Sequence, residues 1–329
     1  MTVAPYRPAA ARPDEQIVWP AMFGTRFLIS VDVEEEFDWS APLDRTHRAT
    51  TALSALPATH RRFADRNIGL LCLIDHPVAT DPAAGPMLRA MLADGRSAVG
   101  AQLHGWVNPP FDEPGAAAAA YPGTLPEALE AAKLDRLTDA ITAAVGTPPI
   151  AYRAGRYGIG PRTLRLLAAR GYRADSSMRS GYDYAGQGGP DFTAIGPHAF
   201  RREDILELPL TTIFTGFARA GGARLHRLLG RHGRGAFART GLLQRVALTP
   251  EDMPVRAAVA AIDRAVADGV RLLTLSFHSP SLVPGHTPYV RDAADLTAFH
   301  RWWDLVLAHL ERRGVRPTTL AEVLATAMP

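Results

Sequence analysis

The stretch FLISVDVEEEFDW, Phe27 to Trp39, delivers Asp32, Glu34, Glu35, Glu36 and Asp38 within seven positions of one another, after an apolar and β-branched run. Such a run is the pattern of a strand buried on both faces. Alternation along an extended chain sends Asp32, Glu34 and Glu36 to one side and Val31, Val33 and Glu35 to the other, so that Asp32 and Glu34 can converge on one metal ion or one water. GAQLHGWVNPP places His104 and Asn108 four residues apart, with Trp106 between them. Imidazole binds divalent first-row metals and an amide oxygen is an acceptable hard ligand. Glu34, His104 and Asn108 would therefore make a three-ligand site with positions open for water and substrate, the pattern of a hydrolase. YRAGRYGIGP supplies Arg153 and Arg156 to hold the carboxylates of the first strand, and its glycines let backbone approach a ligand. DSSMRSGYDY adds Asp175, and LLTLSFHSPSLVPGHTPYV closes a buried run at His278, with His286 beyond. A histidine emerging from an apolar strand onto a polar turn suits a general acid.

Singly, each motif has an ordinary structural reading: a solvated acidic loop, a hydrogen-bonded histidine, an asparagine in a turn before proline, solvated arginines at a helix start. Their recurrence at successive strand ends is what points to a site. Strands are expected at Phe27–Val33, Gly69–Ile74, Ala98–Leu103, Ile150–Arg153, Arg173–Ser177, Asp204–Leu210, Arg245–Leu248 and Arg271–His278. Between them fall helical stretches at Thr50–Asn67, Gly85–Asp94, Glu127–Val145, Pro161–Arg170, from a cap at Thr249 to about Asp268, and at Ala293–Arg313. Repeated βα units predict a parallel sheet with helices outside it, a closed or nearly closed barrel. The open doubly wound alternative lacks a GxGxxG after the first strand, and its polar clusters would gather at one switch point instead of along a rim.

At 329 residues and 47% hydrophobic content, one large domain with insertions is expected. Residues 1–22, Pro-rich and without period, read as an irregular arm; residues 23–329 read as the barrel, with a basic insertion at about 213–245. Phe217 to Arg245 holds seven arginines and two histidines, and no acid occurs between Glu207 and Glu251. That reads either as a solvated, partly helical insertion or as an anion-binding lid for phosphate or acidic sugar. A net charge of +3 is too small to imply a nucleic-acid partner, and Lys133 is the sole lysine. Cys72 stands alone in an apolar run, which excludes an intrachain disulfide and predicts a buried, inert thiol. No leader-like apolar stretch opens the chain and none approaches the roughly 18 residues of a membrane span, so a soluble, cytoplasmic protein is expected.

The acidic strand end, the histidine-bearing third motif, RAGRYG and the late strand ending in histidine together resemble the polysaccharide deacetylase family, carbohydrate esterases of the NodB-homology fold. The likeness spans about residues 26 to 325 and is nearest to a cytoplasmic-type branch reading DVEEEFDW, GAQLHPW, YRAGRYG and SFHSPSL. It implies a distorted (β/α) barrel of seven strands. It also implies Asp32 as catalytic base, Glu34, His104 and Asn108 as metal ligands, Arg153 with Arg156 as the arginine motif, and His278 as the acid. The implied cofactor is a divalent metal ion, Zn2+ first, with Co2+, Mn2+ or Ni2+ as alternatives. The implied substrate is an acetylated sugar, saccharide or glycan precursor, with Trp39, Trp106, Tyr157 and Asp175 as substrate contacts. Two departures stand out. Val33 separates the two acidic residues, leaving open whether Asp32 or Glu34 holds the metal, and Asn108 replaces a histidine, which weakens a zinc site. A catalytically silent carbohydrate-binding barrel and a metal-assisted amidohydrolase acting on a small amide are the alternatives.

Overall fold

The structure, a computed structural model, describes residues 4–327. Strand β1 (Arg26–Val33) is buried from Phe27 onward because it lies mid-sheet, parallel to β10 (Leu272–His278) on one side and β2 (Leu70–Ile74) on the other. In chain order there follow helix α1 (Leu56–Ala64), β2, α2 (His76–Thr80), α3 (Ala84–Leu92), β3 (Ala98–Leu103), α4 (Glu127–Val145), β4 (Ala151–Ala154), α5 (Thr163–Ala168) and β5 (Ala174–Asp175). Next come β6 (Phe200–Arg202), β7 (Ile205–Glu207), β8 (Thr212–Thr215), α6 (Gly222–Leu228), α7 (Arg231–Arg239) and β9 (Gln244–Ala247). The chain ends with α8 (Val255–Ala267), β10, α9 (Ala293–Arg312), β11 (Arg316–Pro317) and α10 (Leu320–Thr326). The sheet runs β10-β1-β2-β3-β4-β5-β7-β6. Its first seven strands are mutually parallel and β6 is antiparallel at the edge.

The sheet curls into a distorted (β/α)7 barrel, and irregular main chain bridges its open side. After β7, Leu208 N–H donates to Asp175 O (2.8 Å) and Leu210 N–H to Met178 O (2.9 Å), still following β5. One residue later Thr211 N–H donates to Thr274 O of β10 (3.2 Å), and the Thr274 N–H returns to Thr211 Oγ1 (2.8 Å). Ser276 N–H adds a bond to Leu248 O (3.2 Å).

Alternation sorts the side chains. Phe27, Ile29, Val31 and Val33 join the outer core beneath the helices, with Phe63, Leu88, Phe277 and Trp303. The other face of β1 reads Leu28, Ser30, Asp32. Leu28 packs with Leu71, Leu73, Ala151, Leu206 and the α10 residues Leu320 and Leu324 in a second buried cluster. Each such leucine contributes about 2 kcal/mol by burial. The barrel is thus apolar and plugged by α10 at its base and becomes polar toward the strand C-termini. Cys72 is buried in the outer core, and burial pushes its thiol up to about 12.

Among its described residues the arm has no helix or strand before residue 21 beyond an isolated bridge, yet it is fastened along β6. Gln16 bridges Phe200, Arg201 N–H donates to Glu15 O (2.7 Å), and Arg202 pairs with the Glu15 carboxylate (2.8 Å). That guanidinium holds the Glu15 carboxyl down at about 2. The helix expected from a cap at Thr249 begins instead at Val255, after Pro254. Thr249 Oγ1 accepts the Glu251 N–H (3.1 Å) within a turn that carries Glu251 inward. No helix among the described residues is long and apolar enough to cross a membrane.

The basic segment forms an antiparallel hairpin, β8 with β9, whose tip carries α6 and α7. Phe217 is 87% and Leu228 83% exposed. Ala218 N–H donates to Leu242 O (2.9 Å), so the ends of the helical tip already touch. Replacing residues 219–240 by a two-residue Asn-Gly turn is expected to lower the melting temperature by no more than about 4 °C, because little apolar surface is removed from the core. A cooperative loss of the fold in a thermal melt would show that the tip supports the barrel.

Candidate active site

Asp32 and His278 end adjacent parallel strands and are register partners. Asp32 is buried; its Oδ1 accepts from Arg153 Nη1, and its Oδ2 lies 3.5 Å from His278 Nε2. Arg153 rises from β4, fully buried. Its Nε donates to Ser176 O (3.0 Å), and its Nη2 donates to Ser30 Oγ (2.8 Å) and Ser176 Oγ (3.1 Å). The guanidinium is therefore fixed on several sides and presents one N–H group to the carboxylate.

On its other nitrogen, His278 meets a partner absent from the sequence reading. Its Nδ1 is 2.6 Å from Glu251 Oε2, its main-chain N–H donates to Glu251 Oε1 (3.0 Å), and Ser281 Oγ donates to the same oxygen (2.6 Å). Burial pulls the imidazole pKa down, but Glu251, Glu34 and Asp32 together outweigh it and push it up to about 10. Raised in this way, the imidazole favours its protonated form, which suits a proton donor.

His104 has the opposite character. Its Nδ1 lies 2.6 Å from Glu35 Oε2, and Trp106, stacked on the imidazole at 4.2 Å, donates its indole N–H to Glu35 Oε1 (2.9 Å). Burial holds the His104 pKa below its ordinary value despite Glu34 and Asp75, leaving a neutral ring whose Nε2 faces Glu34 Oε2 at 3.5 Å. Asp75 completes this support: it accepts the Glu35 N–H (2.6 Å) and caps α2 through Val78 N–H (2.8 Å). Burial, then the Glu35 charge, pushes the Asp75 carboxyl well above its ordinary range. Glu34 receives Gln102 Nε2 (3.2 Å) on Oε2, its Oε1 is buried without a partner, and burial pushes its carboxyl up to about 8.

These donors fit a divalent cation. Two atoms each about 2.1 Å from a tetrahedral ion stand roughly 3.4 Å apart, close to the 3.5 Å between His104 Nε2 and Glu34 Oε2. The orphaned Glu34 oxygen lacks the counter-charge an ion would supply, and a carboxylate behind the distal nitrogen of a ligating imidazole is the usual supporting arrangement. Asp32, Glu34 and His278 offer ligand atoms within 4.8 Å of one another, as do Glu35, Asp75 and His104. Glu35 and Asp75 are engaged in hydrogen bonds behind His104, whereas Asp32, Glu34, His104 and His278 line a cavity of about 1500 Å³.

Asn108 does not line that cavity. Its Nδ2 donates to Lys133 O (3.0 Å) and Pro109 O (2.7 Å), while Lys133 Nζ donates to the carbonyls of Gly105, Asn108 and Pro110 and pairs with Glu113 (3.1 Å). Through Nδ2 Asn108 anchors the loop bearing His104, while its Oδ1 is buried without a partner. Asp175 is likewise outside the cavity, fully buried, bonded to Ser177 (2.6 Å) and opposite Glu207 across the β5–β7 pair. Trp39 and Tyr157 line the cavity, and Trp39 meets the His278 ring edge-on at 5.0 Å. Trp106 lines it too, although its indole N–H serves Glu35. Arg156 does not contact Asp32; it lies at the rim on Tyr121 Oη and Gln187 Oε1, each 3.2 Å away.

No family model and no curated protein matches the chain. Solved structures share its fold. One is provisionally assigned as a polysaccharide deacetylase from Mycobacterium smegmatis, with 17% identity, a TM-score of 0.50 and coverage of 94% of this chain and 98% of that one. A probable polysaccharide deacetylase from Pseudomonas aeruginosa PAO1 has 15% identity, TM-score 0.50 and coverage of 92% and 89%. Puue allantoinase has 15% identity, TM-score 0.50 and coverage of 94% and 91%. At these identities the likeness is one of fold.

Proposed function

We propose, from a fold shared with polysaccharide deacetylases and a paired base and acid at adjoining strand ends, that this protein is a metal-dependent hydrolase. In this reading it removes an acyl group, acetyl in the first place, from an acetamido sugar or glycan precursor. Glu34 and neutral His104 would hold a divalent cation, Zn2+ foremost given the nitrogen donor, with Co2+, Mn2+ or Ni2+ as alternatives. When bound, such an ion polarises the scissile carbonyl and lowers the pKa of water. Asp32, oriented by Arg153, takes the proton of the attacking water. His278, kept protonated by Glu251, gives its proton to the leaving nitrogen as the carbon–nitrogen bond breaks. Trp39 and Tyr157 offer ring faces to a sugar. The observation that carries this reading is the 3.5 Å approach of His278 Nε2 to Asp32 Oδ2, each group backed by a partner of opposite charge: the Arg153 guanidinium on Asp32 and the Glu251 carboxylate on His278.

Elemental analysis of the purified protein, followed by acetate release over a panel of acetylated sugars with metal added back, tests the proposal. Glu34→Gln is expected to weaken cation binding at least about tenfold, whereas Asn108→Ala, checked by circular dichroism for folding, retains the wild-type metal content. Loss of metal in a folded Asn108→Ala protein would restore Asn108 as a ligand. A metal-loaded wild type that releases no acetate from any member of the panel favours the silent carbohydrate-binding barrel.

A further inference from the structure

We infer that the ligand of this cavity carries an oxyanion, a carboxylate or a phosphate, that docks on Arg179, with Arg156 a second cation lining the same cavity. That the anion belongs to a substrate rests on the hydrolase reading; the anion site itself rests on the surroundings of these two side chains.

Four arginines line the cavity: Arg7, Arg156, Arg162 and Arg179. Two have counter-charges, Arg7 from Asp191 (3.4 Å) and Arg162 from Glu127 (3.6 Å). Among the described residues no carboxylate lies within 4.0 Å of Arg156 or Arg179. Arg179 follows β5 at the same end of the barrel as the site residues. Its guanidinium lies over Tyr182 at 4.0 Å and Tyr157 at 5.4 Å. Stacking of this kind accommodates the charge but accepts none of the N–H groups in the ring plane. Of the five donors, Nη1 reaches Tyr184 Oη at 3.5 Å, the limit of a hydrogen bond, and Nε is buried without an acceptor. A planar fork of unsatisfied donors held rigid by aromatic faces is matched by a bidentate oxyanion.

A second guanidinium stands on the same aromatic ring. Arg245 lies over the same Tyr182 ring at 3.5 Å, and its Nη1 is held by Gly181 O (3.1 Å). Arg156 stacks on Tyr121 at 4.8 Å. Arg156 and Tyr157 both sit in the left-handed region, at φ 53° and 61°, uncommon for side-chain-bearing residues and typical of functional loops. That backbone sets Arg156 at the rim and Tyr157 beneath Arg179. Arg156 is exposed at the rim, whereas Arg179 is half-buried among aromatic rings, without a carboxylate partner in the described residues, and a ligand oxyanion there would supply the missing charge.

Calorimetry on the full, metal-loaded chain with N-acetylglucosamine, N-acetylglucosamine 1-phosphate and N-acetylmuramic acid tests the inference; the phosphate and carboxylate arms separate the two sources. At least one anionic sugar is expected to bind about tenfold or more tightly than the neutral one, with the preference lost in Arg179→Gln and reduced in Arg156→Gln. Equal affinity for charged and neutral sugars, or a preference that persists in both variants, overturns it, the latter assigning the anion to the metal. Acetate release from the neutral sugar without anion preference would keep the hydrolase reading and remove this one. Arginine-dependent anion binding without acetate release from any sugar would do the reverse.

Discussion

Asp32→Asn is expected to keep its bound cation and to lower kcat by about 10²- to 10⁴-fold, the scale of a positioned proton-transfer group. The amide preserves the shape of the carboxylate and an acceptor for Arg153, but it cannot take a proton from water. A second effect accompanies the first. Arg153 and Asp32 are both buried, and the remaining partners of the guanidinium are neutral oxygens of Ser30 and Ser176. Removing the negative charge leaves a buried cation uncompensated, which costs on the order of 3 kcal/mol of stability. Kinetics, elemental analysis and a thermal melt on one preparation separate these outcomes. Activity lost with metal retained assigns Asp32 as base; activity and metal lost together would make it the ligand, with Glu34 in support.

What could be read from the chain alone follows from where the fold is regular. The strands ending at Val33, Leu103 and His278 are buried runs bounded by polar turns, and their ends deliver Asp32, His104 and His278 to one cavity. Alternation stops being informative where the strand stops. β1 ends at Val33, and Glu34 and Glu35 then take main-chain bonds to Ser279 Oγ (3.2 Å) and Asp75 Oδ2 (2.6 Å). Glu35, assigned to the side away from the site, therefore reaches His104, and Glu36, assigned toward it, accepts from Thr51 and Ala52 instead. Asn108 followed from spacing, which places it one helical turn beyond His104, but its orientation is set by Lys133 on a distant helix. Glu251 and Asp75 were invisible for a related reason. Each matters only through a partner brought near by the barrel, and an acid in TPEDMP or at the end of LLCLID looks like a turn residue. Arg179, inside RSGYDY, gave no sign that it lacks an acid partner until the fold was known.

Glu251→Gln is expected to move the alkaline limit of activity downward and to separate a proton donor from a merely structural histidine. In the wild type the His278 pKa is pushed up to about 10 against burial, with Glu251 the foremost of the carboxylates that raise it. The acid form is therefore present at neutral pH and is lost as pH rises through that value. A cation on Glu34 cancels that carboxylate's share, while Glu251 keeps its own, so the limit of the loaded enzyme stands at or below about 10. Glutamine leaves the Nδ1 side with a neutral partner and lets burial dominate, returning the pKa toward 6.5 or lower. At pH 8.5 the protonated fraction then falls about 10²-fold, and kcat falls with it, least for substrates whose leaving groups depart without protonation. Stability carries the same sign. A histidine whose folded pKa is raised stabilises fully below its ordinary value and loses that contribution as pH climbs through the folded one. Glu251, whose own pKa is lowered despite burial, chiefly by His278, contributes only above the ordinary carboxylate range. The melting-temperature gap between wild type and Glu251→Gln is accordingly widest around neutral pH and closes both in acid and toward pH 10. A pH–rate profile unchanged by the substitution, with the melting temperature lowered alone, would leave Glu251 and His278 as structural partners and move the proton donor elsewhere in the cavity.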